Sequence, residues 1–165
     1  MTLTRIAPFA LCAAASVCAA SIAPARAQGP TIVSVASVKA SPAMVAPGGH
    51  GTLTVTLSVA SGYHINAHTP NDPSLIPTSL TATSAGAVIG AARYPASKTI
   101  KVSYAPKPIL VYEGRTTVQV PFTVSKAAKH GKKIAILGTL SFQGCNQSSC
   151  FAPASLPVHA TVGVK

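Results

Sequence analysis

The sequence predicts an all-β sandwich, and three observations carry the prediction. Apolar and polar residues alternate along most of the chain, turn signals recur at roughly ten-residue spacing, and no segment has the apolar period of an amphipathic helix. With 165 residues, 48% of them hydrophobic, the chain is sized for one domain and is too apolar to stay disordered.

The first segment reads as an address. Arg5 supplies a positive flank, Ile6 to Ile22 an apolar run, and Ala25-Arg26-Ala27 a small-x-small cleavage site. Cutting after Ala27 assigns residues 1–27 to a secretory signal peptide and residues 28–165 to one exported, periplasmic domain. No later run is long enough to span a bilayer as a helix.

The strands then follow in order. Ile32 to Lys39 is a weak first strand, and Leu53, Val55, Leu57 and Val59 form a clear second one with a single buried face. Tyr63 to Ala67, Ser79 to Thr83, Thr99 to Tyr104 and Ile109 to Tyr112 are shorter candidates. Strong alternation returns at Val118 to Val124, at Ile134 to Phe142 and at Leu156 to Val164. Turn residues separate them: Pro47-Gly48-Gly49, Ser61-Gly62, Pro70-Asn71-Asp72-Pro73, Glu113-Gly114 and His130-Gly131. About nine short strands without helices describe an antiparallel β-sandwich of immunoglobulin-like type.

Composition excludes several chemistries. Asp72 and Glu113 are the only two acidic residues, so paired-carboxylate hydrolysis and carboxylate-rich Mg²⁺ or Ca²⁺ sites lack their ligands. Removing Arg5 and Arg26 with the leader takes the formal charge from +11 to +9. Export and the lack of any RNP, zinc-finger or helix-turn-helix pattern argue against nucleic acid as the partner. The basic run Lys126 to Lys133 reads as a solvated turn.

Of the four cysteines, Cys12 and Cys18 leave with the leader, and Cys145 and Cys150 remain. A pair so spaced can close a disulfide within a tight turn in an oxidising compartment. Closing so short a loop contributes only about 2 kcal/mol, and a sandwich staple normally joins residues far apart in sequence. Short loops also tend to carry strain that eases reduction. A structural disulfide and a redox-active one both stay open on these grounds. A thioredoxin fold is excluded, since the chain has neither βαβ units nor a Cys-x-x-Cys.

Five segments in register carry a resemblance. They are Gly62-Tyr63-His64-Ile65-Asn66-Ala67, Leu75-Ile76-Pro77-Thr78, Val111-Tyr112-Glu113-Gly114, Phe142-Gln143-Gly144-Cys145 and Cys150-Phe151-Ala152-Pro153. Together they resemble the N-terminal periplasmic domain of DsbD-type thiol:disulfide interchange proteins, over about Val38 to Val164. The resemblance implies an immunoglobulin-like fold in which Cys145 and Cys150 relay electrons, with no cofactor and no metal. It implies a thioredoxin-like domain or protein as donor, and a periplasmic disulfide isomerase or cytochrome-maturation thioredoxin-like protein as acceptor. If active, such a chain is a thiol-disulfide oxidoreductase of the protein-disulfide reductase type. The membrane and thioredoxin-like domains of full-length relatives are not in this sequence, which makes the expected donor a separate polypeptide.

The resemblance also implies a cap over the cysteines. The corresponding stretch, Ala91 to Pro95, offers Tyr94 as the shielding aromatic but no acid; Tyr63 and Tyr104 are the next candidates. Period-two spacing puts His64, Asn66 and His68 on one strand face, and the resemblance places that strand beside the cysteines. A nearby imidazolium would favour a thiolate, while His68 is read as a surface residue. Two other classes remain: an exported immunoglobulin-like binding module with a structural disulfide, and a copper carrier using Met44, His64 and His68.

Overall fold

The computed structural model describes residues 31–165, so the expected signal peptide lies outside the described residues. The described residues form twelve strands and no helix. They are β1 (Val33–Ser41), β2 (Met44–Val45), β3 (His50–Val59), β4 (His64–Asn66), β5 (Ser79–Thr83) and β6 (Ala87–Ile89). After these come β7 (Lys98–Ile100), β8 (Ile109–Tyr112), β9 (Arg115–Val124), β10 (Lys133–Phe142), β11 (Gly144–Cys145) and β12 (Ala154–Val164). The expected all-β, immunoglobulin-like architecture is present, with twelve strands where alternation shows about nine. The extra ones, β2, β6 and β11, are two or three residues long, too short to display a period.

Three four-stranded sheets result, in the orders β1-β3-β9-β6, β2-β12-β10-β5 and β11-β4-β8-β7. Every pairing is antiparallel except β2 with β12. The first two sheets face each other across the core. Leu53, Val55 and Leu57 of β3 and Val118, Val120 and Phe122 of β9 pack there with Ile136 and Leu140 of β10 and Val158 and Val162 of β12. These side chains are 2% exposed or less, as the period-two pattern requires of a half-buried strand.

The third sheet extends one end of the sandwich. β4 follows β3 after a turn in which Gly62 takes a left-handed φ of 80°, and β8 enters β9 through Gly114 at φ 59°. β11 continues from β10 and pairs with β4, so the ends of both main sheets meet at this short sheet. A second small cluster of Val102, Ile109 and Val111 lies beneath it.

Gly51 marks the tightest approach in the core. It pairs with Phe122, and a Cβ there would fall 2.4 Å from the ring's Cζ. Gly51→Ala is therefore expected to destabilise the domain by about 1–3 kcal/mol through overpacking, and adding Phe122→Leu should recover part of that loss. Urea unfolding reads this as a lower midpoint at unchanged slope. Equal midpoints for wild type and Gly51→Ala would refute it.

Candidate functional site

The two cysteines face each other across the narrowest part of a hairpin. Cys145 and Cys150 form an isolated antiparallel bridge, and a disulfide joins them with Cα atoms 4.0 Å apart. Asn146 builds the turn between them. Its Oδ1 accepts the N–H groups of Ser148 and Ser149, each at 2.9 Å, and its own N–H donates to the Ser149 carbonyl at 2.9 Å. The Phe151 N–H closes the base of the hairpin on the Gly144 carbonyl at 2.9 Å. Gly144 leaves room for Ile32, whose Cγ2 would lie 2.9 Å from a Cβ at that position.

Pairing with β4 fixes what lies behind the sulfurs. Cys145 is opposite His64 and Gly144 is opposite Ile65, so Cys145, His64, Asn66 and Gln143 share one face. Cys145 is 0% exposed, whereas Cys150 is half-buried, next to an exposed turn. Asn66, also 0% exposed, donates from Nδ2 to the Ile76 carbonyl at 3.0 Å and to Gln143 Oε1 at 3.3 Å. Gln143 passes the chain on by donating to the Phe151 carbonyl at 3.1 Å. Phe151 also packs against Tyr63, ring centroids 5.9 Å apart.

The loop that closes over the hairpin is residues 101–108, between β7 and β8. Gln147 Nε2 donates to the Lys101 carbonyl at 2.9 Å, while Ser103 donates from both N–H and Oγ to the Gln147 carbonyl at 3.0 Å. Buried Val102 anchors the loop, and the Tyr104 hydroxyl shares a hydrogen bond of 2.8 Å with His64 Nε2.

Tyr94 is held elsewhere. Its segment runs along β9, where Arg93 and Gln119 exchange backbone hydrogen bonds of 2.7 and 3.0 Å. The Tyr94 hydroxyl accepts the Leu80 N–H at 2.7 Å, and its ring stacks on His68 at 3.8 Å. Tyr104, not Tyr94, is thus the tyrosine of the loop that is hydrogen-bonded to the cysteine hairpin. Its signal was hidden because Val102 and Tyr104 continue the alternation of β7 and read as strand. Gln147 and Ser103 carry no sequence signal at all, since their contacts use backbone carbonyls.

Burial also sets the charge of His64. Burial lowers its pKa below the usual 6.5, outweighing the attraction of the Glu113 carboxylate, so it is a neutral imidazole near pH 7. Burial likewise raises the Tyr104 phenol, which stays protonated. Exposed His68 accompanies Tyr94 and bonds the Thr78 carbonyl through Nδ1 at 3.0 Å. Met44 pairs with Gly163, at the end of β12 remote from its Ala154 start beside β11, so the three ligands of the copper reading do not converge.

These features define a class: an immunoglobulin-like sandwich presenting a capped disulfide hairpin at one end. The model of the family described as "Thiol:disulfide interchange protein DsbD, N-terminal" matches residues 33–159, and the chain belongs to that family. The fold is similar to that of the N-terminal periplasmic domain of ScsB from Proteus mirabilis, with TM-score 0.51 and 14% identity over 73% of this chain. The chain spans 44% of that structure's length. The reduced N-terminal domain of DsbD from Neisseria meningitidis aligns with TM-score 0.41 and 16% identity, over 67% of this chain and 77% of that one. Comparison with curated proteins gave no match.

Two outcomes are expected. Tyr104→Ala should speed attack of glutathione on the disulfide several-fold, while Tyr94→Ala should leave the rate unchanged; equal acceleration by both would show that the 101–108 loop does not screen the pair. The second concerns pH. Because folding depresses the His64 pKa, its contribution to stability is full above the unfolded value of 6.5 and is lost as pH falls from there through the folded value. Urea unfolding of His64→Gln should therefore show a flatter decline below pH 6.5 than wild type, and parallel declines would refute the assignment.

Proposed function

We propose that the chain is a periplasmic thiol-disulfide exchange protein, exported by cleavage after Ala27, whose domain at residues 28–165 relays electron pairs through Cys145 and Cys150. The observation that carries this reading is the asymmetry of the pair. Cys145 has no exposed surface and Cys150 has some, so an incoming thiolate reaches Cys150. In disulfide exchange the attacked sulfur joins the nucleophile and the other sulfur leaves.

The cycle balances. A donor thiolate attacks Cys150 Sγ, the Cys145–Cys150 bond breaks, and the electron pair passes to Cys145 as a thiolate that takes up a proton. The donor's second thiol then attacks its own sulfur in the mixed disulfide and releases Cys150. Two electrons and two protons have moved to the pair, and the reverse sequence hands them to an oxidised client. The donor is a thioredoxin-like domain or protein; the client is a periplasmic disulfide isomerase or a thioredoxin-like protein of cytochrome maturation. The activity class is protein-disulfide reductase.

Two further points support the reading. The chain belongs to an interchange-protein family, and the disulfide links neighbours in one hairpin, leaving the two main sheets to hold together through their core.

The test is the reduction potential of the pair together with two variants. The potential should lie above the roughly −300 mV below which structural disulfides fall. Cys145→Ser should trap a mixed disulfide between Cys150 and a thioredoxin-like protein, and Cys150→Ser should trap none. A lower potential, with both variants inert towards thioredoxin, would turn the assignment to a binding module with a structural disulfide.

A further inference from the structure

A relay with one sealed cysteine has a proton problem. After Cys150 attacks a client disulfide, it is joined to one client sulfur and the other has left as a thiolate. The cycle then requires Cys145 to attack Cys150 Sγ, but a thiol reacts only as its thiolate, and burial disfavours that charge. Cys145 is 0% exposed, so water does not remove its proton directly.

The geometry points to His64 as the acid–base partner of Cys145, held ready by Tyr104; this inference rests on the relay reading above. His64 is the direct cross-strand partner of Cys145, and such partners project to the same side with Cβ atoms about 4.5–5.5 Å apart. Its Nε2 is already engaged with the Tyr104 hydroxyl at 2.8 Å. Proton transfer uses the tautomer in which Nε2–H donates to the Tyr104 oxygen and Nδ1 carries the free lone pair. The imidazole is neutral and thus able to accept a proton. The titratable and charged groups around it are Cys145 on β11, Tyr104 from the loop, and the Glu113 carboxylate, which lies 3.3 Å from Lys98 Nζ.

The step runs as a single proton transfer coupled to exchange. The Cys145 S–H proton passes to His64 Nδ1; the Cys145–Cys150 bond forms; the bond from Cys150 to the client breaks; and the client leaves as its second thiolate. The imidazolium, stabilised by the Tyr104 oxygen and by Glu113, returns the proton to that thiolate or to water. In the opposite direction the same imidazolium protonates Cys145 as it leaves, as microscopic reversibility demands.

The experiment separates the two sulfurs. Reduced protein is mixed with one equivalent of an aromatic disulfide that liberates a coloured thiolate, and two releases are followed by stopped flow. The first reports attack by Cys150 and the second reports closure by Cys145. In wild type the second release should slow as pH falls through a value below 6.5, where His64 becomes protonated. His64→Gln should slow the second release about 100-fold at neutral pH and replace the plateau above that limb by a steady fall with pH that tracks the Cys145 thiolate fraction, leaving the first release within about twofold of wild type. Tyr104→Phe should slow the second release while keeping the limb.

An unchanged second release in His64→Gln overturns the inference, and so does equal slowing of both releases. Should His64→Gln fail to fold, a wild-type second release that falls steadily with pH from neutrality down, with no break below pH 6.5, overturns it equally. A wild-type protein that gives no second release at all overturns the relay reading itself, which keeps the two failures apart.

Discussion

Two backbone pairs hold the chemistry of this domain in place: Gly144 against Ile65 and Cys145 against His64. A ladder of that length has little stability of its own, and its register is imposed from outside. Ile32 fills the space over Gly144 that any side chain would need, and Asn66 ties Gln143 to the loop carrying Ile76. On the far side, Ile65 and Asn66 pair with Tyr112 and Val111 of β8. A slip of one residue would turn Cys145 to the opposite face, because side chains alternate along a strand. The sealing of one sulfur and the presence of a buried imidazole opposite it are therefore a single consequence of register.

The sandwich supplies the frame without needing the disulfide. Its core side chains come mostly from β3, β9, β10 and β12, with single residues from β1, β2, β4, β5 and β8, and the cysteines belong to neither apolar cluster. Closing the short loop contributes only about 2 kcal/mol in the chain-entropy model, small against the total stability of a domain. In the relay proposed above, the bond that would be broken and remade lies outside both apolar clusters. On the polar side of the site Asn66 is fully buried, and among the described residues its Oδ1 has no hydrogen-bond partner. An unpaired buried acceptor costs about 1–3 kcal/mol, a penalty tolerated because three other contacts, including the 2.6 Å bond from Thr78 Oγ1 to the Asn66 carbonyl, fix the residue.

Much of this was legible in the sequence, for reasons that differ between elements. β3, β9, β10 and β12 have ten or eleven residues each and bury one face, so alternation exposes them directly. β11 has two residues and exists only because β4 lies beside it, which no local pattern can report. The likeness between the segments around Tyr63 and Cys145 brought the right strand to the right hairpin. It offers Tyr94 as the shield and Tyr104 only as a next candidate, and the pairing of Arg93 with Gln119, which commits Tyr94 to the β9 edge, is not visible in the sequence. The charge of His64 is hidden from the sequence for a related reason. Spacing shows that a histidine faces the site, whereas its protonation depends on how completely the loop and the neighbouring strand exclude water.

The 101–108 loop meets the cysteine hairpin through contacts that add little to stability. The loop bears no carboxylate, and Lys101 and Ser103 meet the hairpin through neutral hydrogen bonds. Those bonds involve exposed residues and contribute about 0.5–1.5 kcal/mol each, much less than burying the side chains of the sandwich core. All three end on Gln147, which lies inside the loop closed by the disulfide. The contacts that close the cap thus depend on the shape of a turn whose own geometry depends on the bond they cover. Elements with few buried contacts open locally at free energies far below global unfolding, and loop 101–108 has one buried anchor, Val102. The loop is accordingly tied to the hairpin by a handful of weak contacts at one end of the molecule, while the register that seals Cys145 is governed by the strands beneath.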